Sequence, residues 1–197
     1  WFPSAALAWR ISEEDFMKNI SWIDNLKLRL SYGVTGNNTV CGHYNSVGVS
    51  GPNIYAFGSV VANGYYPSGV INADLKWEKS YETNFGIDYG FLNNRINGSI
   101  DLYSKTSKDL LYLRHLPLVS GGGSLWDNVG EVQNRGIEFA LNTVNIQTKD
   151  WYWTTSFNFA RNINKVKKIN GENKIIDSDT PITSSLFVGS PMNSLYL

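Results

Sequence analysis

The stretch WEKSYETNFGIDYGF, residues 77–91, alternates apolar and polar side chains along its whole length. One parity carries Trp77, Tyr81, Thr83, Phe85, Ile87, Tyr89 and Phe91, and the other carries Glu78, Ser80, Glu82, Asn84, Gly86 and Asp88. A period of two indicates a strand with one apolar and one polar face. Strands of soluble proteins are usually about five or six residues long, whereas a strand that crosses a bilayer at about 45° needs roughly nine to eleven. The stretch therefore predicts a strand of an outer-membrane β-barrel.

Five further stretches show the same alternation and predict companion strands: Phe2–Ile11, Leu26–Val34, Arg95–Ser107, Val132–Val144 and Trp151–Ile163. Between them the composition predicts a Ser-capped helical turn at 12–17, a tight turn at 92–95, a short connection at 145–150, and long loops at 37–73, 108–130 and 164–197. Short periplasmic turns and long outer loops are typical of outer-membrane barrels. The three long loops are therefore predicted to be extracellular.

The length of the opening strand fits a membrane. Twelve steps separate Trp77 from Tyr89, and at about 3.3 Å per residue and a tilt of about 45° they rise roughly 28 Å. The apolar band of such barrels is about 25 Å tall and is flanked by aromatic girdles. Lys79 and Arg161 break the apolar parity, but near the predicted outer ends of their strands, where long side chains reach the headgroups.

Six strands are too few to close a barrel, since the smallest such barrels have eight. An open edge in lipid leaves backbone groups unpaired, so the chain on its own is expected to aggregate. Trp1 is neither an initiator Met nor part of a signal peptide. We therefore expect residues 1–197 to be one partial barrel domain of a larger protein.

Composition narrows the function classes. The chain has 197 residues with 17 basic and 17 acidic side chains, which gives no electrostatic case for nucleic acid. It contains no apolar run near the roughly eighteen residues of a membrane-spanning helix, but barrel strands are only half apolar and escape that criterion. Cys41 is the single cysteine, so neither an internal disulfide nor a cysteine metal site is expected.

Blocks of sequence in a fixed order carry a family resemblance. They are residues 2–14 (FPSAALAWRISEE), 26–37 (LKLRLSYGVTGN), 72–78 (NADLKWE), 86–91 (GIDYGF), 99–105 (SIDLYSK), 128–138 (NVGEVQNRGIE) and 189–194 (GSPMNS). In these blocks the chain resembles the SusC/RagA family of TonB-dependent outer-membrane transporters of Bacteroidetes. The resemblance implies a barrel of about 22 strands with an N-terminal plug. It also implies a place in the cell outer membrane among its lipids, a SusD-like surface lipoprotein as partner, and TonB-powered import of glycans or peptides.

Candidate chemistry is sparse. Carboxylates fall on the polar parities at Glu78, Glu82, Asp88, Asp101 and Glu138. A glycosidase would pair two of them as acid and base, but nothing in the sequence sets their separation, so a polar lumen lining is the preferred interpretation. His43 and His115 show no metal-ligand spacing, and Gly121–Ser124 lacks the lysine of a phosphate loop. No catalytic, metal or cofactor residue is assigned.

Aromatic residues in the predicted outer loops are the candidate contact residues: Tyr44, Tyr55, Phe57, Tyr65, Tyr66 and Trp126. Aromatic faces stack on sugars and fill protein interfaces, and they also pack loops against themselves. Two rival functions stay open. A soluble all-β carbohydrate-binding module would bare large apolar patches to water, and an outer-membrane enzyme would need a nucleophile and base that the sequence does not reveal. We therefore predict a transporter, not an enzyme.

Overall fold

An antiparallel sheet of six long strands forms the body of the protein in the computed structural model. The structure describes residues 1–39, 50–67, 71–116, 124–175, 186–192 and 194. Its strands are β1 Ser4–Arg10, β2 Ile23–Asn37, β3 Ser50–Phe57, β4 Val60–Pro67, β5 Glu78–Phe91, β6 Ile96–His115, β7 Ser124–Gln147, β8 Tyr152–Ile169, β9 Lys174–Ile175 and β10 Leu186–Phe187. The large sheet runs in the order β1-β2-β5-β6-β7-β8. All six predicted strands are present, and the predicted open, all-antiparallel sheet is confirmed.

Strand register places the two parities on two faces of the sheet. Phe85 lies opposite Leu30 on β2 and opposite Leu102 on β6, and Leu102 lies opposite Ile137 on β7. This surface is here called the apolar face, and the reverse side, with Arg29, Asp88, Asp101 and Glu138, is called the polar face. Residues that oppose each other share a face. The alternation read from the sequence therefore continues unbroken across neighbouring strands.

The apolar face is left uncovered by the described residues. Leu30 keeps 49% of its full exposure and Phe157 keeps 52%, although each large apolar side chain gains about 1.5–3 kcal/mol when it is buried. The buried hydrophobic residues are few: Val34, Leu111, Val129, Val132, Val166 and Ile169. A soluble sandwich would cover this face with a second sheet. No described helix is long and apolar enough to cross a membrane.

The connections at one end of the sheet are short, as predicted; this is the short-turn end. Leu92, Asn93 and Asn94 all adopt positive φ values of 55–58°, and the Arg95 N–H donates to the Leu92 carbonyl at 3.3 Å. Asparagine tolerates this left-handed backbone well. The Asn94 N–H also donates to Asp24 Oδ2 at 2.9 Å, so the turn is fastened to the start of β2.

At the opposite, long-loop end the strands extend further than predicted. β6 continues to His115 and β7 already begins at Ser124, so much of the predicted loop 108–130 is strand. The sequence did not reveal this extension because β6 has a bulge between Ser107 and Leu110, where Asp109 has a φ of +55°. A bulge adds a residue and ends the simple period of two. β8 likewise runs to Ile169, which places Arg161 in mid-strand rather than near the outer end.

The predicted loop 37–73 contains a hairpin that the sequence did not reveal. β3 and β4 pair from Ser50 with Pro67 to Phe57 with Val60, around a turn in which Gly58 has a φ of +62°. Gly51, Pro52 and Gly64 interrupt the strand pattern, because glycine and proline disfavour strands. Residues 40–49 and 68–70 of the predicted loop lie outside the described residues.

The predicted Ser-capped turn is wrong in its capping. Residues 11–17 form two short 3-10 turns, and Ser12 lies inside the first of them. The residues at the cap positions, Arg10 and Glu14, make no side-chain capping bond. Glu14 instead accepts a hydrogen bond from Trp9 Nε1 at 2.8 Å. The turn is therefore fixed to the end of β1 through a side chain rather than through its own backbone.

A small core closes the long-loop end on the polar face. Val132, Val166 and Ile169 are buried there against Leu110 and Leu186. The segment 186–190, predicted to be irregular, contains β10 and lies along β8: the Val166 N–H donates to the Ser190 carbonyl, and the Gly189 N–H to the Val166 carbonyl, both at 2.8 Å. A cavity of about 150 Å³ remains beside this core.

Candidate functional site: the polar face and the long-loop end

An arginine clamp is the strongest charged feature of the polar face. Arg29 donates from Nε and Nη2 to both carboxylate oxygens of Asp88, at 2.9 and 2.8 Å. The same Nη2 reaches Asp101 on β6 at 2.9 and 3.2 Å, and Lys27 Nζ lies 3.9 Å from Asp88. A bidentate guanidinium–carboxylate pair is a strong, directional interaction. Arg29 therefore ties three strands together across the polar surface.

A glycine makes room for this clamp. Gly86 lies opposite Arg29 on one side and opposite Asp101 on the other. A Cβ at position 86 would lie 2.7 Å from both Arg29 Nη2 and Asp101 Oδ1, which is closer than real Cβ contacts allow. The guanidinium can cross from β2 to β6 flat against the backbone because position 86 has no side chain.

Next to the clamp the polar face carries a hollow of about 330 Å³. Its polar lining comes from Ser99, Asp101, Glu138 and Asn158, with Ala140 and Ala160 as the small residues. Asp101 and Glu138 are directly opposite each other on β6 and β7. Arg29 neutralises Asp101, whereas Glu138 is exposed and has no ion-pair partner among the described residues. The hollow is thus an acidic, water-accessible surface.

Amides and hydroxyls complete the polar face between β6 and β8. Asn134 Oδ1 accepts hydrogen bonds from Asn162 and Asn164 at 3.3 and 2.8 Å. Tyr103 crosses over Gly136 and donates to Asn162 Oδ1 at 3.3 Å. Such groups both donate and accept hydrogen bonds, so this surface can exchange its bonds with water or with a polar solute.

Asn128 organises the long-loop end. Its Nδ2 donates to the carbonyls of Lys76 and Asp109 at 2.9 and 2.7 Å, and its Oδ1 accepts the Lys76 N–H at 2.8 Å. The Asn128 carbonyl accepts Asn170 Nδ2 at 3.0 Å. One side chain therefore joins β7, the bulge of β6 and the segment before β5.

Glu78 fastens the same region from the other side. Its Oε1 accepts the Leu111 N–H at 2.9 Å, and its Oε2 accepts Asn37 Nδ2 at 2.9 Å. The bulge at 107–110 displaces the backbone of β6, and the carboxylate satisfies an amide there that would otherwise need water. Sequence reasoning placed Glu78 on the polar parity but could not reveal this bond, because it depends on the bulge.

The predicted aromatic contact residues are not brought together in one described cluster. Tyr55 and Tyr65 project from opposite faces of the β3–β4 hairpin, with exposures of 40% and 75%. Trp126 lies on β7, where its carbonyl accepts Asn72 Nδ2 at 3.1 Å. Phe57 and Tyr66 lie within β3 and β4, but their side chains are outside the described part of the structure, as is the whole of Tyr44.

The predicted carboxylates share one face without forming a catalytic pair. Asp88 and Asp101 are both held by Arg29, so neither is arranged as a free general acid. Among the residues that the structure describes, no group of three His, Cys, Asp or Glu side chains could hold a metal ion. His43 lies outside the described residues, and the side chain of His115 is not described. The site is therefore a polar surface with exposed loops.

Sequence reasoning missed the two organising residues. The sequence shows Arg29 only as a charged residue within the predicted strand Leu26–Val34. Its match to Asp88 and Asp101 requires the register of three strands. Asn128 fell within a predicted loop. The sequence does offer one signal for Asn128. This residue begins block 128–138 of the family resemblance, and its partner Lys76 lies in another such block, 72–78.

Comparison with known proteins gives a consistent answer. The family model described as "TonB dependent receptor-like, beta-barrel" matches residues 1–195. The TonB-dependent receptor P39 of Formosa agariphila is 41% identical over 171 residues, which are 87% of this chain and 16% of that protein. The TonB-dependent receptor SusC of Bacteroides thetaiotaomicron is 37% identical over 175 residues, which are 86% of this chain and 17% of SusC. The chain thus spans about a sixth of the length of these relatives.

Solved structures agree with the sequence relatives. The RagAB peptide importer in its "closed-closed" state matches all of this chain and 21% of that chain, with a TM-score of 0.83 and 34% identity. Its "open-open" state matches 97% of this chain and 20% of that chain, with the same TM-score and identity. The predicted resemblance to SusC/RagA transporters is confirmed. The chain belongs to the TonB dependent receptor-like β-barrel family.

Proposed function

We propose that this chain forms a stretch of barrel wall, with outer loops, of a transporter in the cell outer membrane that actively imports nutrients. The observation that carries the proposal is the two-faced sheet: an uncovered apolar face for lipid and a hydrogen-bonded polar face for an aqueous lumen. The likeness to the RagAB peptide importer supports peptides as an imported class, and glycans are the second class that the resemblance to the SusC/RagA family implies. Residues 1–197 act as one partial barrel domain.

In this proposal the polar face lines the path of the solute. The acidic hollow at Asp101 and Glu138 and the amides around Asn134 offer weak, exchangeable contacts, which suit a solute that must pass rather than stay. In this proposal energy comes through TonB, which the names of the TonB-dependent relatives support. A SusD-like surface lipoprotein, which the resemblance to the SusC/RagA family implies, covers the outer side. The chain itself performs no catalysis.

The β3–β4 hairpin is the proposed contact with that lipoprotein or with the solute. Residues 50–67 contain no charged side chain, while Ile54, Val61 and Tyr65 share one face and are 68–75% exposed. Exposed aromatic and aliphatic side chains without charge are typical of interface cores. Tyr55 lies on the other face, and Tyr44, Phe57, Tyr66 and Trp126 are proposed to extend the same contact surface.

The test is uptake by cells. Deletion of the gene should abolish accumulation of labelled oligopeptides or oligosaccharides, and dissipation of the proton gradient should have the same effect in cells that carry it. The protein should fractionate with the outer membrane and co-purify with a surface lipoprotein. Undiminished uptake of both solute classes in the deletion strain, or a protein found in the soluble fraction, would contradict the proposal. The rival function, a soluble carbohydrate-binding module, predicts that the protein is found in the soluble fraction.

A further inference from the structure

The polar face carries one apolar patch, at the long-loop end. There the residues of its parity are Leu110 on β6, Val132 on β7, and Val166 and Ile169 on β8. Elsewhere on the five longest strands, the positions of this parity hold no Val, Leu, Ile, Met, Phe or Trp; they lie within 27–37, 78–90, 97–107, 134–142 and 154–164. The patch is therefore an exception on a surface of polar and small side chains.

A returning segment of the chain borders this patch. Residues 186–192 lie along β8, where the Gly189 N–H donates to the Val166 carbonyl at 2.8 Å and the Met192 N–H donates to Asn164 Oδ1 at 2.7 Å. These bonds fix the position of the Met192 side chain's backbone beside the wall. Met192 nevertheless keeps 41% of its full exposure, so the segment leaves the patch accessible from the side of Met192.

Between the wall and this segment lies the cavity of about 150 Å³. An apolar cavity of about that size stays dry and holds a group as large as benzene. An empty apolar cavity also costs folding stability, and such a cost is expected at a functional site. Glu78, Glu131 and Lys168 border the cavity, but its lining is mostly apolar and includes Leu110, Val132, Val166, Ile169, Leu186 and Met192.

An amide group lies next to the cavity on the same face. Asn134 precedes no bulge and is two residues from Val132 along β7, a distance of about 7 Å. Its Oδ1 already accepts hydrogen bonds from Asn162 and Asn164, whereas its Nδ2 makes no hydrogen bond within the described part of the chain. The free N–H groups can donate to a carbonyl oxygen. A ligand that fits both features combines a large apolar group with a carbonyl a few ångströms away.

We propose that the cavity is a subsite for one large apolar side chain, such as that of leucine, methionine or phenylalanine, of an oligopeptide that the transporter imports. The inference rests on the proposed transport function and selects peptides over glycans. A glycan offers hydroxyl groups to Asn134 but no large apolar group to the cavity. A fatty acyl chain would fill the cavity but would leave the amide without a partner. A peptide supplies the side chain and the backbone carbonyl together.

The experiment measures peptide binding to the full-length protein, purified from outer membranes in non-ionic detergent with the proteins that accompany it. The probes are heptapeptides of glycine, serine and asparagine that differ only in the central residue, which is leucine, phenylalanine, glutamine or serine. Isothermal titration calorimetry gives the affinity of each.

Two variants test the cavity, and one serves as the control. Leu110→Trp fills the cavity, and Met192→Gln makes its exposed rim polar at nearly constant length. The matched control is Leu102→Trp, the same exchange on the apolar face of the same strand. Heat-dependent electrophoretic mobility verifies that each variant is folded, and Met192→Gln carries the test if Leu110→Trp does not fold.

The unaltered protein should bind the leucine peptide roughly ten- to a hundredfold more tightly than the serine peptide, because a large apolar side chain leaves water. It should also show a more negative heat-capacity change for the leucine peptide. Leu110→Trp should bind both peptides about equally, and Met192→Gln should reduce the preference by about threefold, since this side chain is half exposed. Leu102→Trp should keep the preference.

Four results would each overturn the proposal. They are binding of no peptide in the series, equal affinity of the unaltered protein for the leucine and serine peptides, an unchanged preference in the folded cavity variants, and an equal loss of preference in Leu102→Trp.

Failure of this proposal is distinguishable from failure of the proposed transport function. A protein that resides in the outer membrane and imports oligosaccharides, or that imports peptides without regard to the central residue, overturns the subsite alone. A protein absent from the outer membrane, or a deletion strain with undiminished uptake, overturns the transport function. The titration then still reports whether the cavity binds an apolar side chain.

Discussion

Replacing Asn128 with alanine should release the segment before β5 from the rest of the long-loop end. The substitution removes three hydrogen bonds of 2.7–2.9 Å: two to Lys76 and one to the Asp109 carbonyl. Neutral hydrogen bonds contribute about 1 kcal/mol each, and two of the three hold residues 72–78, so this segment loses about 2 kcal/mol of local stability. Every 1.4 kcal/mol is a factor of ten, which predicts roughly 30-fold more frequent opening of residues 72–78.

Amide hydrogen exchange measures this opening directly, because the Lys76 N–H is itself one of the three donors. In the membrane-extracted protein, the peptide containing Lys76 should exchange faster in Asn128→Ala. Asn128→Asp should be at least as disruptive, since it would set a carboxylate against the carbonyl oxygens of Lys76 and Asp109. Asn142→Ala is the matched control, because Asn142 lies on the same strand near the short-turn end, bonded to Ser156. Unchanged exchange at Lys76 in a folded Asn128→Ala protein would refute the role assigned to the Asn128 side chain.

Three further predictions follow from the sheet. Arg29→Gln leaves Asp88 and Asp101 without their shared cation and should lower the temperature at which the electrophoretic mobility of the heated protein changes. Because the Arg29 side chain is about a third exposed, the expected loss of folding stability is about 1 kcal/mol. An unchanged transition temperature would argue against the arginine clamp. Gly136→Ala should cost about 1–3 kcal/mol in the same assay, because its Cβ would lie 2.5 Å from a backbone carbonyl, whereas Gly33→Ala, with 3.8 Å to its nearest neighbour, should be tolerated. The 197-residue chain alone in detergent-free buffer should associate through its open edges and apolar face; a monodisperse monomer by size-exclusion chromatography, with a sharp thermal transition, would contradict the barrel assignment.

Alternation in the sequence was sufficient to predict the large sheet. Phe85, Leu102 and Ile137 each stand in a strict period of two, and a two-residue period allows only one assignment of faces once one side is apolar. The tight turn at 92–95 could also be predicted from the sequence, because consecutive asparagines accept the left-handed backbone that the turn uses.

Features that depend on several strands at once could not be predicted. The bulge at Asp109 hides the outer half of β6, because local periodicity cannot report an inserted residue. The β3–β4 hairpin carries Pro52 and Gly64 inside its strands, and both residues argue against a strand when read locally. Arg29 acts through Asp88 and Asp101, 59 and 72 positions away, and Asn128 holds Lys76, 52 positions away. At such distances a single sequence carries no pairing information.

The tyrosines that cross glycines have a mechanical consequence. Tyr103 on β6 bonds Asn162 on β8 over Gly136, and Tyr89 on β5 bonds the Ala140 carbonyl on β7 over Gly98. Each bond skips a strand, one on each side of the sheet. A pulling force applied to β8 therefore loads β6 as well as β7, so the wall should yield under tension in blocks of three strands rather than peel away one hairpin at a time.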